Sequence, residues 1–228
     1  PIAALSNFGM ANPLTKMILK KIGVSDEMSL PAYARKTFLR QFRALKQQSF
    51  PDKVVFFPGC YINNYEPDIG MDFVAVMQQN RFEVIVPEGF ECCGSPQVVQ
   101  GYLEEAVGKA RKNIEVLKPL IDQGLPIITC CTSCGLMLKM EIQELMDLDY
   151  MDKLAELNYD SSEFLLELKE AGRLNLKLGP VPGRYMYHTP CHLRAQGIGR
   201  PSLEVLSLIP GFQIEDADAG CCGQSGTY

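Results

Sequence analysis

The sequence predicts an α/β protein with two similar lobes, each with a small parallel sheet flanked by helices. Two observations lead to this prediction. Between residues 52 and 150, short apolar runs of strand length alternate with helical patterns, which is typical of a parallel sheet covered on both faces. The tripeptide Cys-Cys-Gly occurs twice, at Cys92-Cys93-Gly94 and at Cys221-Cys222-Gly223, and each copy follows a strand-like run. We therefore expect an internal repeat with cysteines at the carboxyl ends of strands.

The composition is that of a folded protein with one large or two small domains. The chain has 228 residues, of which 46% are hydrophobic and 21% are charged. No apolar run reaches the roughly 20 residues that a membrane-spanning helix needs, and the first 29 residues lack the order of a signal peptide. We expect a cytoplasmic protein and, because the sequence begins with proline, part of a longer chain.

Residues 1–51 are predicted to form a basic helical arm. The first 50 residues carry a net charge of +6 and the whole chain −5, which leaves −11 for the remainder. Helical patterns cover Pro13 to Val24 and Ala34 to Gln48. The apolar residues on one face of the second helix are Phe38, Leu39, Phe42 and Leu45. Two interpretations are open: this helix docks on a membrane surface or a partner, or it packs on its own domain with a solvated basic face.

Residues 52–150 are predicted to form the first lobe, in which each strand runs into a cysteine group. The predicted strands are Val54 to Phe57, Glu83 to Val86 and Pro126 to Thr129. The predicted helices are Asp68 to Gln79, Leu103 to Ile121 and Gly135 to Met146. Because the carboxyl ends of parallel strands meet at one edge, we expect Cys60, the Cys92-Cys93 pair and the segment Cys131 to Cys134 to converge. The last segment also opens a helix, whose free N–H groups favour a thiolate or an anionic cluster.

Residues 151–179 are predicted to be a helical connector, and residues 180–228 a second lobe that is incomplete at its C-terminal end. Within the connector, a helix over Ser162 to Ala171 is expected to end at Gly172. The second lobe has strand patterns at Arg184 to His188 and Phe212 to Glu215, and a helical pattern at Ser202 to Leu208.

The spacing of cysteines supports the repeat. Cys191 follows the first of these strands and Cys221 the second, with 29 residues between them, against 31 between Cys60 and Cys92. A second C-x-x-C is expected beyond Tyr228.

The nine cysteines leave four chemical interpretations open. Adjacent cysteines and an odd count are poorly suited to a set of disulfides. Buried structural thiols, a tetrahedral zinc site and a thiol–disulfide catalyst at Cys131 and Cys134 each leave part of the pattern unexplained. An iron–sulfur cluster uses all five thiols of the first lobe, and five ligands favour a non-standard cluster over a cubane.

These motifs resemble the duplicated cysteine-rich CCG domain of the heterodisulfide reductase B-subunit family and related redox proteins. Nearly the whole chain is also similar to the C-terminal part of the C-subunit family of anaerobic glycerol-3-phosphate dehydrogenases. The stretches that carry the resemblance are Leu30-Pro31 to Phe42-Arg43, Gly59-Cys60, Tyr187 to His192 and Cys221 to Tyr228.

The resemblance implies a non-cubane [4Fe–4S] cluster and a ligand set for it. The ligands implied in the first lobe are Cys60, Cys92, Cys93, Cys131 and Cys134. Those implied in the second lobe are Cys191, Cys221 and Cys222. Cys130 lies outside the motif, and His188 and His192, which flank Cys191, either orient that loop or tune a cluster through hydrogen bonds to sulfur.

The resemblance also implies electron transfer rather than catalysis by this chain alone. A flavoprotein partner would oxidise glycerol 3-phosphate, and this protein would pass the electrons toward quinone from the inner face of the cytoplasmic membrane. The sequence has no G-x-G-x-x-G dinucleotide fingerprint of its own, and no catalytic residue or nucleic-acid partner is expected. Two alternatives stay open: a component of a heterodisulfide or thiol reductase whose cluster handles the sulfur substrate, and a zinc-stabilised interaction module.

Overall fold

Two parallel sheets organise the chain in a computed structural model, which describes residues 2–21, 23, 31–146 and 150–220. Helices flank both sheets, and the predicted α/β class is confirmed. The first sheet has four strands and the second has two. Among the described residues, no helix has both the length and the apolar character that a membrane span requires.

The described part of the arm contains three helices. They are α1 (Ile2–Ala11), α2 (Pro13–Lys21) and α3 (Phe38–Ala44). The third is shorter than predicted, because Thr37 caps its first turn by accepting a hydrogen bond from the Arg40 N–H and the backbone turns extended at Leu45. Phe38 is fully buried against Phe56 of the first lobe, at 5.3 Å between ring centroids. The apolar face of α3 therefore packs on its own domain, as the second interpretation of that helix stated.

The larger sheet, with strand order β2-β1-β3-β4, extends beyond residue 150 into the segment predicted as a connector, so the first lobe as described from here on includes residues up to Glu170. Its strands are β1 (Asp52–Phe57), β2 (Phe82–Ile85), β3 (Ile127–Thr129) and β4 (Asn158–Asp160). Its helices are α4 (Gly59–Asn64), α5 (Pro67–Gln79), α6 (Ser95–Val99), α7 (Leu103–Asp122), α8 (Thr132–Leu136), α9 (Ile142–Leu145), α10 (Met151–Leu157) and α11 (Ser161–Glu170), and a π-helical turn, Met137–Glu141, joins α8 to α9. The three predicted strands are confirmed within a residue or two at each end.

Successive side chains of the central strand β1 build two cores, one on each face of the sheet. Val55 and Phe57 pack with α7 and the helical segment after β3, whereas Val54 and Phe56 pack with α3, α5 and α11. All four side chains are fully buried. This double burial explains why the strand reads as a continuous apolar run rather than an alternating one.

The strand β4 corrects the prediction of a purely helical connector. Its three residues pair with β3 in parallel, with Ile127 opposite Asn158, although Asn-Tyr-Asp carries no apolar run. Pairing with an existing strand edge, rather than intrinsic preference, makes this segment extended. The predicted helix that follows is confirmed as α11, and Gly172 adopts a left-handed conformation after it, with φ +67°.

The second lobe has a smaller and more open sheet in the described part of the chain. Its elements are β5 (Gly183–Tyr187), α12 (Cys191–Ala195), α13 (Pro201–Leu206) and β6 (Phe212–Asp216). The two strands pair in parallel, and Tyr185 stacks on Phe212 at 4.0 Å between ring centroids. Both helices face the first lobe: α12 packs on α8, and α13 packs on α11 through a hydrogen bond of 3.1 Å between the Ser162 and Ser202 hydroxyls.

Candidate metal centre

The loop after β1 presents the first thiol. Cys60 is the second residue of α4 and is exposed. The preceding residue, Gly59, has φ +63°, and a Cβ there would lie 2.9 Å from the Cys134 Sγ. Glycine at this position therefore allows both the left-handed turn and the close approach of the Cys60 loop to Cys134.

The loop after β2 presents two thiols that point in different directions. Cys93 is buried, at 3% exposure, while Cys92 is half-buried and faces Cys60. Gly94, with φ +98°, makes the turn into α6. One thiol of the adjacent pair thus lies inside the lobe, and the other lies near its surface.

A buried asparagine on α7 holds this loop in place. The Asn113 side chain is fully buried, accepts a hydrogen bond of 2.8 Å from the Glu91 N–H, and donates one of 3.1 Å to the Cys92 carbonyl. Sequence reasoning missed this residue. The signal was present, because Asn113 is a polar residue on the same stripe of α7 as the buried Ala110 and Leu117.

The loop after β3 presents the last two thiols at the start of a helical segment. Cys131 is the N-cap of α8, and its sulfur accepts hydrogen bonds from the backbone N–H groups of Cys134 and Ser133. Cys134 is buried, at 4% exposure, on the first turn of the helix. Both backbone donors belong to the free N–H groups of a helix start, which favour an anion.

The five thiols form one continuous chain of contacts. The Cys60 and Cys92 sulfurs are 3.7 Å apart. Interactions that shift the pKa of each thiol then link Cys92 to Cys93, Cys93 to Cys134 and Cys134 to Cys131. Residues from three strand ends therefore meet at one edge of the sheet, as the topology predicts.

The hydrogen bonds divide the thiols into proton donors and acceptors. Hydrogen bonds from Cys60 and Cys93, with the Gly94 N–H, lower the pKa of Cys92 to about 2. A hydrogen bond from Cys134 and the two backbone N–H groups lower the pKa of Cys131 to about 6, against burial that raises it. These two cysteines are the thiolates of the group.

The other three cysteines are the proton donors. The pKa of Cys60 is raised by its hydrogen bond to Cys92, and that of Cys134 by its hydrogen bonds to Cys131 and Cys93. For Cys93 the bond from Cys134 lowers the pKa, but the bond to Cys92 and burial outweigh it and raise the pKa to about 12. Metal binding would displace these three protons.

This set of donors fits an iron–sulfur cluster. Thiolate sulfur is the soft ligand that iron–sulfur clusters take, and five thiols gathered in a half-buried edge offer more sulfur than a single tetrahedral ion needs. Within the described ranges, no three His, Cys, Asp or Glu side chains already surround one point at single-ion distances. The thiols satisfy one another by hydrogen bonds, and a bound cluster would replace those bonds.

Comparison with known sequences bears on this arrangement. A family model described as the CCG cysteine-rich domain matches residues 54–139 and 185–228. The chain belongs to this family. The two matched segments correspond to the two lobes, so the first CCG segment contains the five converging thiols and the second contains Cys191, Cys221 and Cys222.

Three relatives are similar in sequence to this chain over most of its length. The C-subunit of anaerobic glycerol-3-phosphate dehydrogenase from Escherichia coli K12 is 30% identical and aligns with 100% of this chain and 58% of its own length. The B-subunit of fumarate reductase (CoM/CoB) from Methanothermobacter marburgensis is 35% identical over 76% of this chain and 33% of its own length. An uncharacterized iron–sulfur protein of Methanocaldococcus jannaschii is 34% identical over 76% of this chain and 32% of its own length. The chain thus spans between a third and three-fifths of these relatives.

The second CCG segment is described only in part. Cys191 is exposed at the first residue of α12, whereas Cys221 and Cys222 lie outside the described residues. Cys130 is directed away from the first thiol group: it packs in the core on the opposite face of the sheet, and burial raises its pKa to about 12.

The two histidines near Cys191 have different surroundings. The His192 Nδ1 lies 2.7 Å from the Ser133 hydroxyl, inside the Cys131-to-Cys134 segment of the first lobe. His188 is half-buried and has no hydrogen-bond partner among the residues that the structure describes. A contact of His192 with the first lobe was not predicted, since sequence spacing places it beside Cys191 only.

Proposed function

We propose that the chain is an iron–sulfur electron-transfer subunit of an oxidoreductase. The observation that supports this most directly is the single contact chain formed by five cysteines from three strand ends. We assign a [4Fe–4S] cluster of non-cubane type to Cys60, Cys92, Cys93, Cys131 and Cys134. Such a cluster, when bound, accepts and releases single electrons.

The protein residues would supply the ligands, orient them and limit access of water. Cys93 and Cys134 form the inner, buried side of the site, and Cys60 forms its outer side. Cys60 and Cys92 border a cleft whose other walls include Asn63 and Phe90. A cluster held here would be accessible to a redox partner from this open side, because Cys93 and Cys134 are buried in the lobe.

Charge around the cleft supports an anionic centre. Glu91 is adjacent to Cys92, but its carboxylate pairs with Lys112 at 2.6 Å and with Lys109 at 3.8 Å. The hydrogen bond from Lys112 lowers the pKa of Glu91, and Lys109 contributes to the lowered pKa of Cys92. Two lysines therefore offset the carboxylate that would otherwise repel the thiolates.

We assign Cys191, Cys221 and Cys222 to a second cluster in the second lobe. The family match over residues 185–228 supports this assignment. The domain boundaries at residues 51, 150 and 179 remain predictions.

The glycerol-3-phosphate dehydrogenase type is the specific oxidoreductase that we propose. A relative that aligns with the whole chain is a subunit of that enzyme. In this proposal a flavoprotein subunit oxidises glycerol 3-phosphate and delivers electrons to the clusters, which pass them toward quinone. The test is whether glycerol 3-phosphate reduces the clusters in the purified complex.

The N-terminal helices suit a peripheral position on the inner face of the cytoplasmic membrane. Phe8 on α1 and Leu14, Met17 and Ile18 on α2 are more than half exposed, and Lys16 and Lys21 lie on the same α2. Exposed apolar side chains beside basic ones match the surface of an anionic bilayer. Co-sedimentation with anionic vesicles, and its loss in Phe8→Glu, tests this position.

A catalytic reductase of disulfide or thiol substrates is the second candidate. The exposure of Cys60 at the cleft favours it, because a sulfur substrate could reach that edge directly. Oxidation of the reduced cluster by a disulfide, at a rate that supports turnover, would favour this candidate over simple electron transfer.

Metal analysis of protein purified without oxygen tests the cluster itself. We expect about four irons and four sulfides per complete lobe and a paramagnetic signal in one redox state. A matched variant is Cys130→Ser, which should keep the full iron content because Cys130 packs on the other face of the sheet. Zinc without sulfide would overturn the proposal and identify a zinc-stabilised interaction module.

A further inference from the structure

The two lobes meet at the cysteine segment of the first one. Helix α12, which begins at Cys191, packs on α8, which begins after Cys131. At this contact the Ser133 hydroxyl and the His192 Nδ1 are 2.7 Å apart. One short hydrogen bond therefore links one of the two residues between Cys131 and Cys134 with the residue after Cys191.

A second set of contacts holds the segment from Cys131 to Cys134. The Gln196 side-chain amide, one turn beyond His192, donates to the Thr132 carbonyl at 3.1 Å and to the His192 carbonyl at 3.2 Å. Gly135 allows this approach, because a Cβ there would lie 3.1 Å from the Gln196 Nε2. Between the two polar contacts, Leu193 is fully buried.

The contact between α12 and α8 includes polar groups although much of it is buried. Apolar packing alone would not require polar groups there. Gln196 is buried, and its amide oxygen has no partner within the described residues. Leaving a buried acceptor without a partner lowers stability. The cost indicates a role for the polar groups beyond holding the lobes together.

Ser133 connects the contact to the thiols. Its backbone N–H donates to the Cys131 sulfur, while its side chain bonds to His192. A displacement of Ser133 would therefore move a hydrogen-bond donor of the first-lobe sulfur group. His192 reaches the sulfur chemistry of the first lobe through this one residue.

We propose that His192 is a positioning residue for the first-lobe centre: through the Ser133 hydroxyl it fixes the backbone donors that face Cys131. The second lobe thereby sets the hydrogen bonding, and so the electronic properties, of the centre in the first. The effect on a cluster rests on the proposed assignment of Cys131 and Cys134 as ligands, whereas the effect on the backbone donors does not.

The first test measures the first-lobe cluster alone, in a Cys191→Ser background. His192→Ala and Ser133→Ala should each change the paramagnetic spectrum and midpoint potential in the same direction, and the double variant should change them no further. His192→Asn, which keeps a side-chain hydrogen-bonding group, should restore part of the change. His188→Ala is the matched control and should leave both unchanged.

An unchanged spectrum in His192→Ala, or a double variant equal to the sum of the two single variants, would overturn the proposal. An equal change in His188→Ala would also overturn it, because the effect would then belong to the loop around Cys191 in general.

The second test needs no cluster. In the metal-free chain, amide hydrogen exchange at Ser133 and Cys134 should become about fivefold faster in His192→Ala, as expected for the loss of one hydrogen bond, and should not change in His188→Ala. If the native protein holds no iron but exchange accelerates as expected, the proposed function fails and the positioning contact stands. Unchanged exchange would overturn the contact whatever the iron content.

Discussion

The two lobes repeat the same order of strand, cysteine, strand and cysteine pair, but their described parts differ in how far the sheet is covered. In the first lobe, helices cover both faces of a four-stranded sheet, and Cys93 and Cys134 are buried. In the described part of the second lobe, two strands form the sheet, Met186 of β5 is 68% exposed, and Cys191 is exposed, as is its counterpart Cys60 in the first lobe. The repeated motif thus occurs in two different packing environments.

Different residues outside the motif stabilise the two lobes near their strand ends. The loop of the first cysteine pair is held by Asn113, a buried amide on α7. In the second lobe the strand ends are joined by Asp216, which accepts a hydrogen bond of 3.0 Å from Thr189 and forms an ion pair of 2.9 Å with Arg200. A buried neutral contact and a charged one near the surface should respond differently to mutation, salt and pH.

The largest expected difference between the lobes is in bound iron. Cys93→Ser should remove the first-lobe cluster, about four irons per chain, because Cys93 is the central member of the thiol contact chain. Cys191→Ser should leave that cluster in place. Iron and sulfide analysis measures both variants, and circular dichroism checks that the sheet stays folded. Unchanged iron in Cys93→Ser would contradict the five-ligand assignment.

The next effect tests the buried amide. Asn113→Ala removes two hydrogen bonds to the loop of Cys92 and should lower the free energy of unfolding of the metal-free chain by about 2 kcal/mol, with lower iron occupancy in the complete protein. Urea denaturation measures the first quantity. Gln123→Ala, at the exposed end of the same helix, is the control and should change neither quantity measurably.

The sequence predicted the features of the first lobe that depend on local pattern and topology. The apolar run Val54 to Phe57 is a buried central strand because side chains on both of its faces meet helices. The cysteine groups converge because parallel strands end at a common edge. Neither inference needs knowledge of a particular distant contact.

The sequence did not predict features that arise from contacts between distant elements. The strand β4 exists because an edge of β3 is available for pairing. The bond between Ser133 and His192 joins residues 59 positions apart that spacing assigns to different lobes. The choice between the two interpretations of α3 likewise depended on finding Phe38 buried under the first sheet.

Two glycines allow the stability cost of backbone strain to be measured separately from the cost of crowding at the site. Gly59 and Gly197 have similar positive φ angles, +63° and +70°, but a Cβ at Gly59 would meet the Cys134 sulfur at 2.9 Å, whereas one at Gly197 would meet nothing within 4 Å. Both alanine variants should lose about 1 kcal/mol of stability from strain, and Gly59→Ala should lose about 1 kcal/mol more from crowding. Equal losses in urea denaturation would show that the Cys60 loop can move away from Cys134.

The smallest expected effect is at the contact of Asp216 with Thr189 and Arg200 in the second lobe. Hydrogen bonds from the Asp218 N–H and from Thr189, with the charge of Arg200, lower the pKa of Asp216 below its ordinary value of 3.8. Because the pKa is lower in the folded state, the stabilisation by Asp216 is fully present well above pH 4 and is lost as the pH falls through the folded-state pKa.

Asp216→Asn should therefore be slightly less stable than the native chain at pH 7 and indistinguishable from it at pH 2, when stability is followed by hydrogen exchange in β6. Added salt should reduce the difference at pH 7, since the pair with Arg200 is partly exposed to solvent. The loss in Asn113→Ala should persist at both salt concentrations, because that contact contains no charge. The loss of stability in Asp216→Asn could also persist at pH 2 and in added salt. The two lobes would then be stabilised by the same kind of contact, and they would differ only in how far their sheets are covered.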